Sequence, residues 1–511
     1  MKNSLKIAAS LPLLLLAATG IAEVKLPKVL SDHVVLQRNA PIHIWGWADP
    51  GEQVTVSLLS AKQSAVADDL GKWSVYLAPQ PAGGPYTITI QGNNTITISD
   101  VLIGDVWFAS GQSNMEMPLK GFPGSAVLKN GDEEIANSNQ PQIHLLRVHT
   151  RPSDHPLPDL ADPDEVWTLC TPDTAANFSA VAYFFGREIQ QQEKVPIGLI
   201  DDTWGGTPAE AWISMDGISA DSSLMPVFRT WSEMANETSD IPAMLAREKR
   251  EDDAAKKAGA PLPKHSWHPN PLSYAPAFLY NGMIAPFIEF SIKGVIWYQG
   301  ETNSGGSRAP MYFKVFPALI SDWRSKWGEG DFPFFFVQIS SFGENKPETW
   351  GVVRDAQRRT LSLANTGMAV SLDVGQADNV HPPDKQTVGH RLALAARDIT
   401  YGEHIEDSGP LFRQATPEGA EIQVWFDYGE GLTAKGGALT GFEVAGSDHR
   451  FVAADATIDG DHLVVSAAAI KTPLYVRYAW ANFSTANLYN SAGLPASTFS
   501  SESAIDAGTS R

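Results

Sequence analysis

One serine stands among small and polar residues at the end of an apolar run. The stretch FASGQSNMEMP covers residues 108–118, and Gln112, Ser113 and Asn114 directly follow its apolar part. Two interpretations compete here: a turn, for which Gly, Ser and Asn are usual residues, or a nucleophile held out into a pocket. Serine is a weak nucleophile, so the second interpretation requires a base within hydrogen-bonding reach and a third group that orients the base.

A second polar loop could supply both of these groups. Asp378 and His381 lie three residues apart in the loop that follows the apolar run MAVSLDV. This spacing would let the carboxylate fold back onto imidazole Nδ1 and leave Nε2 for Ser113. Taken alone, the loop is equally explained as a surface turn or a helix cap, because Asp and Asn are common in both.

Two further loops could stabilise the oxyanion of a tetrahedral intermediate. The run IGLIDDT is followed by Gly205 and Gly206, and the run VIWYQ is followed by GETN, which contains Asn303. The candidate donors are the backbone N–H of Ser113, the N–H of one of the two glycines, and the amide of Asn303. Each such donor is worth about 3 to 4 kcal/mol in the transition state. The sequence does not choose between the two glycines.

All four polar loops follow apolar runs within residues 101–402. In this part of the chain, long apolar runs alternate with helical patterns such as FSAVAYFFGREIQQQ, which predicts a parallel sheet covered on both faces. Open parallel sheets bind ligands at the carboxyl ends of their strands. If the four strands are neighbours, the loops converge on one crevice, and the serine lies at a strand end because it has to attack.

The remaining segments have different patterns. Residues 1–22 carry Lys2 and Lys6 before a short apolar stretch, which predicts a signal peptide cleaved after Ala22 and a periplasmic or secreted protein. Residues 23–100 and 403–511 alternate apolar and polar residues, as in β-sandwich or jelly-roll segments. The two β-rich ends are candidates for a single body into which the α/β unit is inserted.

Residues 214–276 interrupt the α/β alternation with a charged helix and a proline-rich loop. They form either a solvated surface insertion or a lid over the site. His265 and His268 lie three residues apart, but the carboxylate and the helical spacing of a zinc motif are absent, so we expect no metal there.

Composition excludes several classes of function. The formal net charge is −20 and no cluster of Lys and Arg occurs, which argues against a nucleic-acid partner. After cleavage of residues 1–22 no membrane anchor is expected. Cys170 is the single cysteine, so no intrachain disulfide can form, and we expect it to be a buried small side chain. The oligomeric state is not predicted.

The chain resembles the sialate O-acetylesterase-like carbohydrate esterases of the SGNH hydrolase superfamily. The resemblance covers nearly the whole chain after residue 22 and is carried by these stretches: LSDHVVLQRNAPIHIWGWADPG, FASGQSNMEMP, VPIGLIDDTWGGTPAEAW, LYNGMIAPF, GVIWYQGETN, WGVVRDAQ, VHPPDKQTVGHRLA and ANLYNSAGLPASTF. It implies a flavodoxin-like α/β/α hydrolase domain, no metal or other cofactor, and release of acetate from acetylated sugars.

The resemblance also implies roles for single residues. It makes Ser113 the nucleophile, His381 the base and Asp378 its partner, and it places Asn303 in the oxyanion hole with one glycine of the Gly205-Gly206 pair, the first in the family pattern. The chain departs from the usual superfamily pattern at two positions, where Gln112 replaces an Asp and Ser304 follows Asn303.

Three further polar residues are candidates for support of the site. Gln112 could orient the serine loop by hydrogen bonding, and Gln299 and Glu301 could hold the loop that carries Asn303. Glu301 is also explained as a buried residue bonded to the backbone. Tryptophans that could stack on sugar, or equally belong to the core, are Trp204, Trp267 and Trp350.

These residues predict acyl transfer through an acyl-enzyme, and the resemblance implies a serine esterase that removes acetyl groups from sugars. We expect acetylated plant hemicellulose, such as xylan, xyloglucan or mannan oligosaccharides, as substrate. The alternative is sialic acid, which would favour an arginine near the pocket, and Arg354 is a candidate. Two rival functions are a non-catalytic carbohydrate-binding protein and a lipase or peptidase that uses the same residues.

Overall fold

The computed structural model describes residues 23–122, 126–265, 268–343 and 349–503. The predicted signal peptide lies outside the described residues. Two β-rich parts flank a large α/β unit in the described chain, which confirms the predicted α/β class with β-rich ends. In the described residues, no helix combines the length and the apolar character that crossing a bilayer requires.

The first β-rich part is built of short strands. Lys72–Leu77 shows the alternation of exposed and buried side chains expected of a strand with one face on a core. The strands are β1 (Val35–Gln37), β2 (Ile42–Trp47), β3 (Gln53–Leu58), β4 (Ala61–Val66), β5 (Lys72–Leu77) and β6 (Gly83–Gln91).

One long strand connects this part to the α/β unit. Strand β7 (Thr95–Gly111) has 17 residues. Its first half pairs antiparallel with β6, and β1 pairs with residues 102–104. From Val101 onward every residue of β7 is buried, as expected for a strand covered on both faces. The predicted boundary between residues 100 and 101 therefore falls inside a continuous strand.

The second half of β7 lies at the centre of a parallel sheet. The other strands of this sheet are β8 (Gln140–Arg147), β9 (Thr168–Cys170), β10 (Ile197–Thr203), β11 (Gly294–Tyr298), β12 (Phe334–Gln338) and β13 (Thr366–Val370). Their order is β13-β12-β11-β7-β10-β8-β9, and all neighbours are parallel except β8 and β9. β7 therefore lies between β10 and β11, where the strand order changes direction.

Helices cover both faces of the parallel sheet. Neighbouring residues of β12 point to opposite faces: Phe335 contacts Trp107, while Phe334 and Phe336 contact the helix that carries Phe316. The α-helices are α1 (Ser113–Glu116), α2 (Gly131–Ala136), α3 (Pro172–Ala175), α4 (Ala180–Glu193), α5 (Met215–Ala220), α6 (Pro226–Glu237), α7 (Ile241–Ala258), α8 (Arg308–Trp327), α9 (Trp350–Thr360) and α10 (Lys385–Ala395). Short 3₁₀ turns occur at Ala209–Trp212, Ser222–Leu224, Pro271–Tyr274, Ala285–Phe287, Thr302–Ser304 and Leu372–Val374, and π-type turns at Tyr280–Ile284 and Ala396–Thr400.

The C-terminal part forms small antiparallel sheets. Its strands are β14 (Leu411–Glu418), β15 (Glu421–Asp427), β16 (Thr433–Ala434), β17 (Phe442–Ala445), β18 (Val452–Ala453), β19 (Asp455–Asp459), β20 (His462–Ser466), β21 (Tyr475–Tyr478), β22 (Leu488–Tyr489) and β23 (Phe499–Ser500). They pack on α9, where Arg359 donates to the backbone oxygen of Ser500. No described strand of 403–511 pairs with one of 23–100, so the β-rich ends share no sheet here.

Candidate active site

Ser113 lies at the carboxyl end of the central strand. β7 ends at Gly111, whose φ of +130° belongs to the region that favours glycine. A Cβ placed on Gly111 would lie 2.2 Å from the backbone oxygen of Tyr298, so only glycine lets β7 pass this closely to β11. Ser113 then begins α1 and is half-buried.

Gln112 joins the serine turn to the loop after β11. Its backbone N–H donates to the oxygen of Tyr298 at 3.0 Å. Its side-chain oxygen accepts a hydrogen bond from the N–H of Thr302 at 3.2 Å. This glutamine, which stands where the superfamily pattern has Asp, therefore orients two site loops against each other.

His381 meets the serine directly. Its Nε2 lies 2.8 Å from the Oγ of Ser113, although the two residues are 268 positions apart. Its backbone N–H donates to the side-chain oxygen of Asn379, and its ring contacts Phe122 edge-on at 5.1 Å between centroids. Burial, and then the charge of Lys385, lower the pKa of His381 to about 4. The imidazole is therefore neutral near pH 7 and able to take the serine proton.

Asp378 lies apart from this pair. Its side chain is exposed, and within the described part of the chain its carboxylate makes no hydrogen bond or ion pair with the imidazole. The hydrogen bond predicted between Asp378 and His381 is thus not made in this structure. A spacing of three residues permits that contact but does not impose it, because the intervening loop turns through Asn379.

A buried polar network supports the His381 loop instead. Asn114 donates to the backbone oxygen of Val380 at 3.0 Å and also to the carboxylate of Glu301. Lys385, which is 0% exposed, donates to the side-chain oxygen of Asn114. Burial lowers the pKa of Lys385 to about 7 and raises that of Glu301. Glu301 thus supports the site through Asn114 and is also bonded to backbone, as the alternative interpretation predicts.

Gly205 lies beside Ser113. A Cβ placed on it would lie 3.1 Å from the Cβ of Ser113 and 2.7 Å from the carboxylate of Glu116. Its N–H donates to the Oε2 of Glu116 at 2.6 Å, so one candidate oxyanion donor already has a partner. Burial and the nearby charge of Asp201 raise the pKa of Glu116 to about 7. Gly206 follows with φ +75°, again a conformation that favours glycine.

Asn303 is held with its amide nitrogen in a defined direction. Its side-chain oxygen accepts from the N–H of Ala209 at 2.9 Å and from Nε2 of Gln299 at 2.6 Å. Its Nδ2 donates one hydrogen to Glu210 at 2.8 Å. Gln299 is fixed in turn by the hydroxyl of Tyr312 at 2.9 Å. The amide has a second Nδ2 hydrogen, which is available to an oxyanion.

An exposed arginine lies at the same edge of the sheet. Arg147 ends β8 and is in register with Asp201 on β10. Burial raises the pKa of both Glu116 and Asp201, and the positive charge of Arg147 partly offsets this rise, which places the arginine near the serine loop. Among the described residues, its side chain has no hydrogen bond or ion pair, so its charge is available to a ligand.

Other predicted candidates lie elsewhere. Arg354 is 0% exposed and donates to the backbone oxygens of Ala481 and Asn482, so it serves the C-terminal part and not a pocket. Trp350 is buried against Phe342 and offers no sugar platform, whereas Trp204 is half-buried and follows β10 at the site edge. Trp267 lies outside the described residues.

The histidines of the insertion bind carboxylates. His265 Nε2 lies 2.9 Å from Asp252 and His268 Nε2 lies 3.1 Å from Glu248, which fastens their loop to α7. Cys170 is buried, as predicted, and burial raises its pKa to about 12, which makes it a poor nucleophile.

Sequence reasoning missed five residues of the site: Asn114, Glu116, Arg147, Glu210 and Lys385. Asn114 and Glu116 belong to the stretch FASGQSNMEMP, so the sequence already placed them next to Ser113. Lys385 follows the histidine loop at the first residue of α10, where nothing in the sequence marks a lysine as buried.

Comparisons with known proteins show what the chain is similar to. A family model described as "SASA: Carbohydrate esterase, sialic acid-specific acetylesterase" matches residues 254–398. The chain is 33% identical over 441 residues to a sialate O-acetylesterase of Homo sapiens, covering 78% of this chain and 76% of the relative. It is 32% identical over 420 residues to one of Mus musculus, covering 75% and 74%. A crystal structure of a carbohydrate acetylesterase from Xanthomonas citri is 36% identical with a TM-score of 0.79, covering 94% of this chain and 100% of that chain.

Proposed function

The chain belongs to the sialate O-acetylesterase family and is a carboxylic-ester hydrolase acting on acetylated carbohydrate. From this premise we propose that it deacetylates sialic acids by a serine acyl-enzyme mechanism with Ser113 as nucleophile and His381 as base. The observation that carries the proposal is the 2.8 Å contact between Ser113 Oγ and His381 Nε2 at the carboxyl edge of the sheet.

The first step of the mechanism is acylation. His381 Nε2 takes the hydroxyl proton of Ser113 while Oγ attacks the acetyl carbonyl carbon. The tetrahedral intermediate then collapses, the bond to the sugar oxygen breaks, and the imidazolium returns the proton to that oxygen. Deacylation repeats these steps with water. His381 takes a proton from water, and the hydroxide attacks acetyl-Ser113. Acetate then leaves as Ser113 regains its proton.

The oxyanion donors of this proposal are backbone and amide groups. Ser113 N–H, the free hydrogen of Asn303 Nδ2 and a glycine N–H are the candidates. The engagement of Gly205 N–H by Glu116 favours Gly206 as the glycine donor in the state described. Fixed donors of this kind cost no reorganisation when the negative charge develops.

A dyad is the arrangement that the contacts support. Asp378 is exposed, whereas the His381 loop is held by Asn379, by Phe122 and, through Val380, by Asn114. We therefore assign orientation of the imidazole to these contacts. Asp378 stays a prediction as partner of the base.

Arg147 favours a carboxylate sugar over a neutral one. It is exposed and cationic at the edge that carries Ser113, and an arginine presents donors that match a carboxylate in two parallel hydrogen bonds. The curated relatives are sialate O-acetylesterases, which points the same way. The preference for plant hemicellulose expected from the sequence receives no support from these relatives.

The strand order supports assignment of the α/β unit to the flavodoxin-like fold. With β8 and β9 set aside, the parallel strands run β10-β7-β11-β12-β13, which in chain order is 2-1-3-4-5, the flavodoxin-like order. We propose on this basis that residues 101–402 are an SGNH hydrolase domain flanked by the β-rich segments 23–100 and 403–511. Periplasmic or secreted location after cleavage at Ala22 stays a prediction from the sequence.

A screen of acetate release tests the substrate. The substrates are O-acetylated N-acetylneuraminic acid, acetylated xylan, xyloglucan and glucomannan oligosaccharides, and Ser113→Ala is the control for each. We expect the sialic acid to have the highest kcat/KM. A higher value on a hemicellulose oligosaccharide would overturn the sialate assignment, and no release from any of them would favour the non-catalytic alternative.

Acyl-chain preference tests the lipase alternative. Comparison of 4-nitrophenyl acetate with the octanoate should show faster turnover of the acetate. Preference for the octanoate would contradict acetyl release as the function.

A further inference from the structure

A second cleft lies at the opposite edge of the parallel sheet from Ser113. It has a volume of about 440 Å³, within the range of ligand sites. Strands β2 and β5 form one wall, and residues 156–158 and 285–289 form the other. Because residues 285–289 precede β11, this cleft lies at the amino ends of the strands, whereas the serine lies at their carboxyl ends.

Aromatic side chains dominate the wall made by β2 and β5. Trp45, Trp47 and Trp73 line the cleft, together with the polar residues Asp68, Lys72 and Ser74. Gly46 pairs with Trp73 across the strands, and a Cβ on this glycine would lie 3.2 Å from the Trp73 ring. The same Cβ would lie 2.1 Å from the backbone oxygen of Lys25, so glycine is required here chiefly by the close approach of the Lys25 backbone.

A stack of rings continues from the cleft to the protein surface. The His43 ring stacks on Trp45 at 4.8 Å and on Tyr76 at 4.3 Å between centroids. Tyr76 is 61% exposed. Solvent-exposed aromatic faces that continue a row of buried rings suit the apolar faces of pyranose rings, which pack on flat aromatic surfaces.

Two buried ring nitrogens beside the cleft lack hydrogen-bond partners among the described residues. Trp73 is 3% exposed and its Nε1 has no acceptor. The Nε2 of His43 also has no partner, while its Nδ1 lies 3.1 Å from the backbone oxygen of Glu289 and so carries the proton. A buried polar group without a partner costs about 1 to 3 kcal/mol. One nitrogen needs an acceptor and the other a donor, and a sugar hydroxyl can serve as either.

We propose that this cleft is a second, non-catalytic carbohydrate site that binds a neutral oligosaccharide. Flat aromatic side chains supply the platform. The accessible surface of Trp73 Nε1 and of His43 Nε2 is below 1 Å² here, so a small movement of the side chains that cover them gives sugar hydroxyl groups access to both. The site does not depend on the identity of the acetylated sugar at Ser113. It would hold the glycan that carries the substrate sugar, or a neighbouring glycan, on the far side of the molecule from the chemistry.

Titration calorimetry on the folded enzyme tests the site. The probes are four neutral tetrasaccharides: cellotetraose, xylotetraose, mannotetraose and lacto-N-neotetraose. Ser113 is first blocked with diethyl 4-nitrophenyl phosphate, so that binding in the active site is excluded. We expect at least one probe to bind the blocked enzyme and the unblocked enzyme with the same Kd.

Three variants assign the binding to the cleft. Tyr76→Ala and Trp47→Ala should raise the Kd at least about tenfold, because each removes a stacking surface. Trp73→Phe keeps a ring but removes the N–H and should raise the Kd several-fold. Tyr428→Ala, at a 40% exposed tyrosine of the C-terminal part, is the matched control and should bind as the wild type does.

Two results would overturn the site. One is the absence of binding for all four tetrasaccharides. The other is binding that disappears when Ser113 is blocked but is unchanged in Tyr76→Ala, whose exposed position makes folding safe. Neither result bears on esterase activity, so this test and the test of the proposed function fail independently.

Discussion

Asn114 donates a hydrogen bond of 3.0 Å to the backbone oxygen of Val380. The residue after the proposed nucleophile is thus fastened to the residue before the proposed base. Lys385 and Glu301 hold the same Asn114 side chain from the protein interior. The distance between hydroxyl and imidazole therefore depends on a buried lysine, Lys385.

Removing the hydroxyl or the imidazole should abolish turnover. Ser113→Ala and His381→Ala should each lower kcat on 4-nitrophenyl acetate by at least about 10⁴-fold, because these residues act as a unit. Circular dichroism and the melting temperature check that the fold is kept. Unchanged turnover in Ser113→Ala would exclude this serine as the nucleophile.

Asp378→Asn should have a small effect, less than about tenfold on kcat. The carboxylate is exposed and makes no hydrogen bond to His381 in the described structure, whereas a buried carboxylate that orients a catalytic histidine is worth about 10⁴-fold. Steady-state kinetics on 4-nitrophenyl acetate decides between the two magnitudes. A loss of the larger size would mean that Asp378 reaches Nδ1 once substrate is bound, and would restore the triad.

The pH profile should remain flat to unusually low pH. A base works in its neutral form, and burial together with Lys385 lowers the pKa of His381 to about 4. We therefore expect kcat/KM to stay near its plateau from about pH 7 to about pH 5 and to fall only as pH approaches 4, below the ordinary histidine range near 6.5. Initial rates of ester hydrolysis, corrected for spontaneous hydrolysis, measure kcat/KM at each pH.

Lys385→Met provides the matched control for the pH profile. The lysine, with a pKa of about 7, is charged below about pH 6 and disfavours the imidazolium. Its removal should move the acid limb of kcat/KM upward in pH. Melting temperatures at each pH separate this effect from unfolding. A histidine whose pKa is lowered in the folded state makes the protein less stable as pH falls below about 6.5. An unmoved limb would contradict the electrostatic role of Lys385.

Asn303→Ala should lower kcat by about 10² to 10³-fold with little change in KM, because an oxyanion donor acts in the transition state. Gln299→Leu should have an effect in the same direction but smaller, since Gln299 only fixes the direction of the Asn303 amide. A rise in KM with unchanged kcat in Asn303→Ala would assign it to substrate binding.

Arg147→Gln should discriminate between charged and neutral substrates. Loss of a charged hydrogen-bonding partner should raise KM for O-acetylated N-acetylneuraminic acid by about tenfold or more. Its activity on 4-nitrophenyl acetate, which has no carboxylate, serves as the internal control and should be unchanged. Equal effects on both substrates would show that Arg147 does not recognise the carboxylate.

The sequence predicted the convergence of the site because that convergence follows from periodicity. Buried parallel strands appear in the sequence as apolar runs. The polar residues that follow these runs must lie at the edge of the sheet formed by the carboxyl ends of the strands. Ser113, His381 and Gly205 meet there, and Asn303 lies in the loop that Gln112 joins to the serine turn. The residue types predicted acyl transfer by a serine nucleophile, and the family resemblance implied the acetylated sugar substrate.

Side-chain directions within loops were less predictable. Whether Asp378 bonds His381 depends on backbone turns that a three-residue spacing leaves free. Arg354 is a surface residue by type but is buried under the C-terminal part, because it satisfies backbone oxygens of residues 481 and 482. The contacts of Arg354 with residues 481 and 482 have no local signal in the chain.

Strand β7 links melting of the N-terminal part to loss of esterase activity. Its 17 residues form one strand from the first sheet to the end that presents Ser113. Thermal loosening of the outer strands would thus reach the nucleophile along the backbone itself. We expect loss of esterase activity on heating to coincide with melting of the N-terminal part, and a sugar bound to that part would protect catalysis from heat without approaching the reacting atoms.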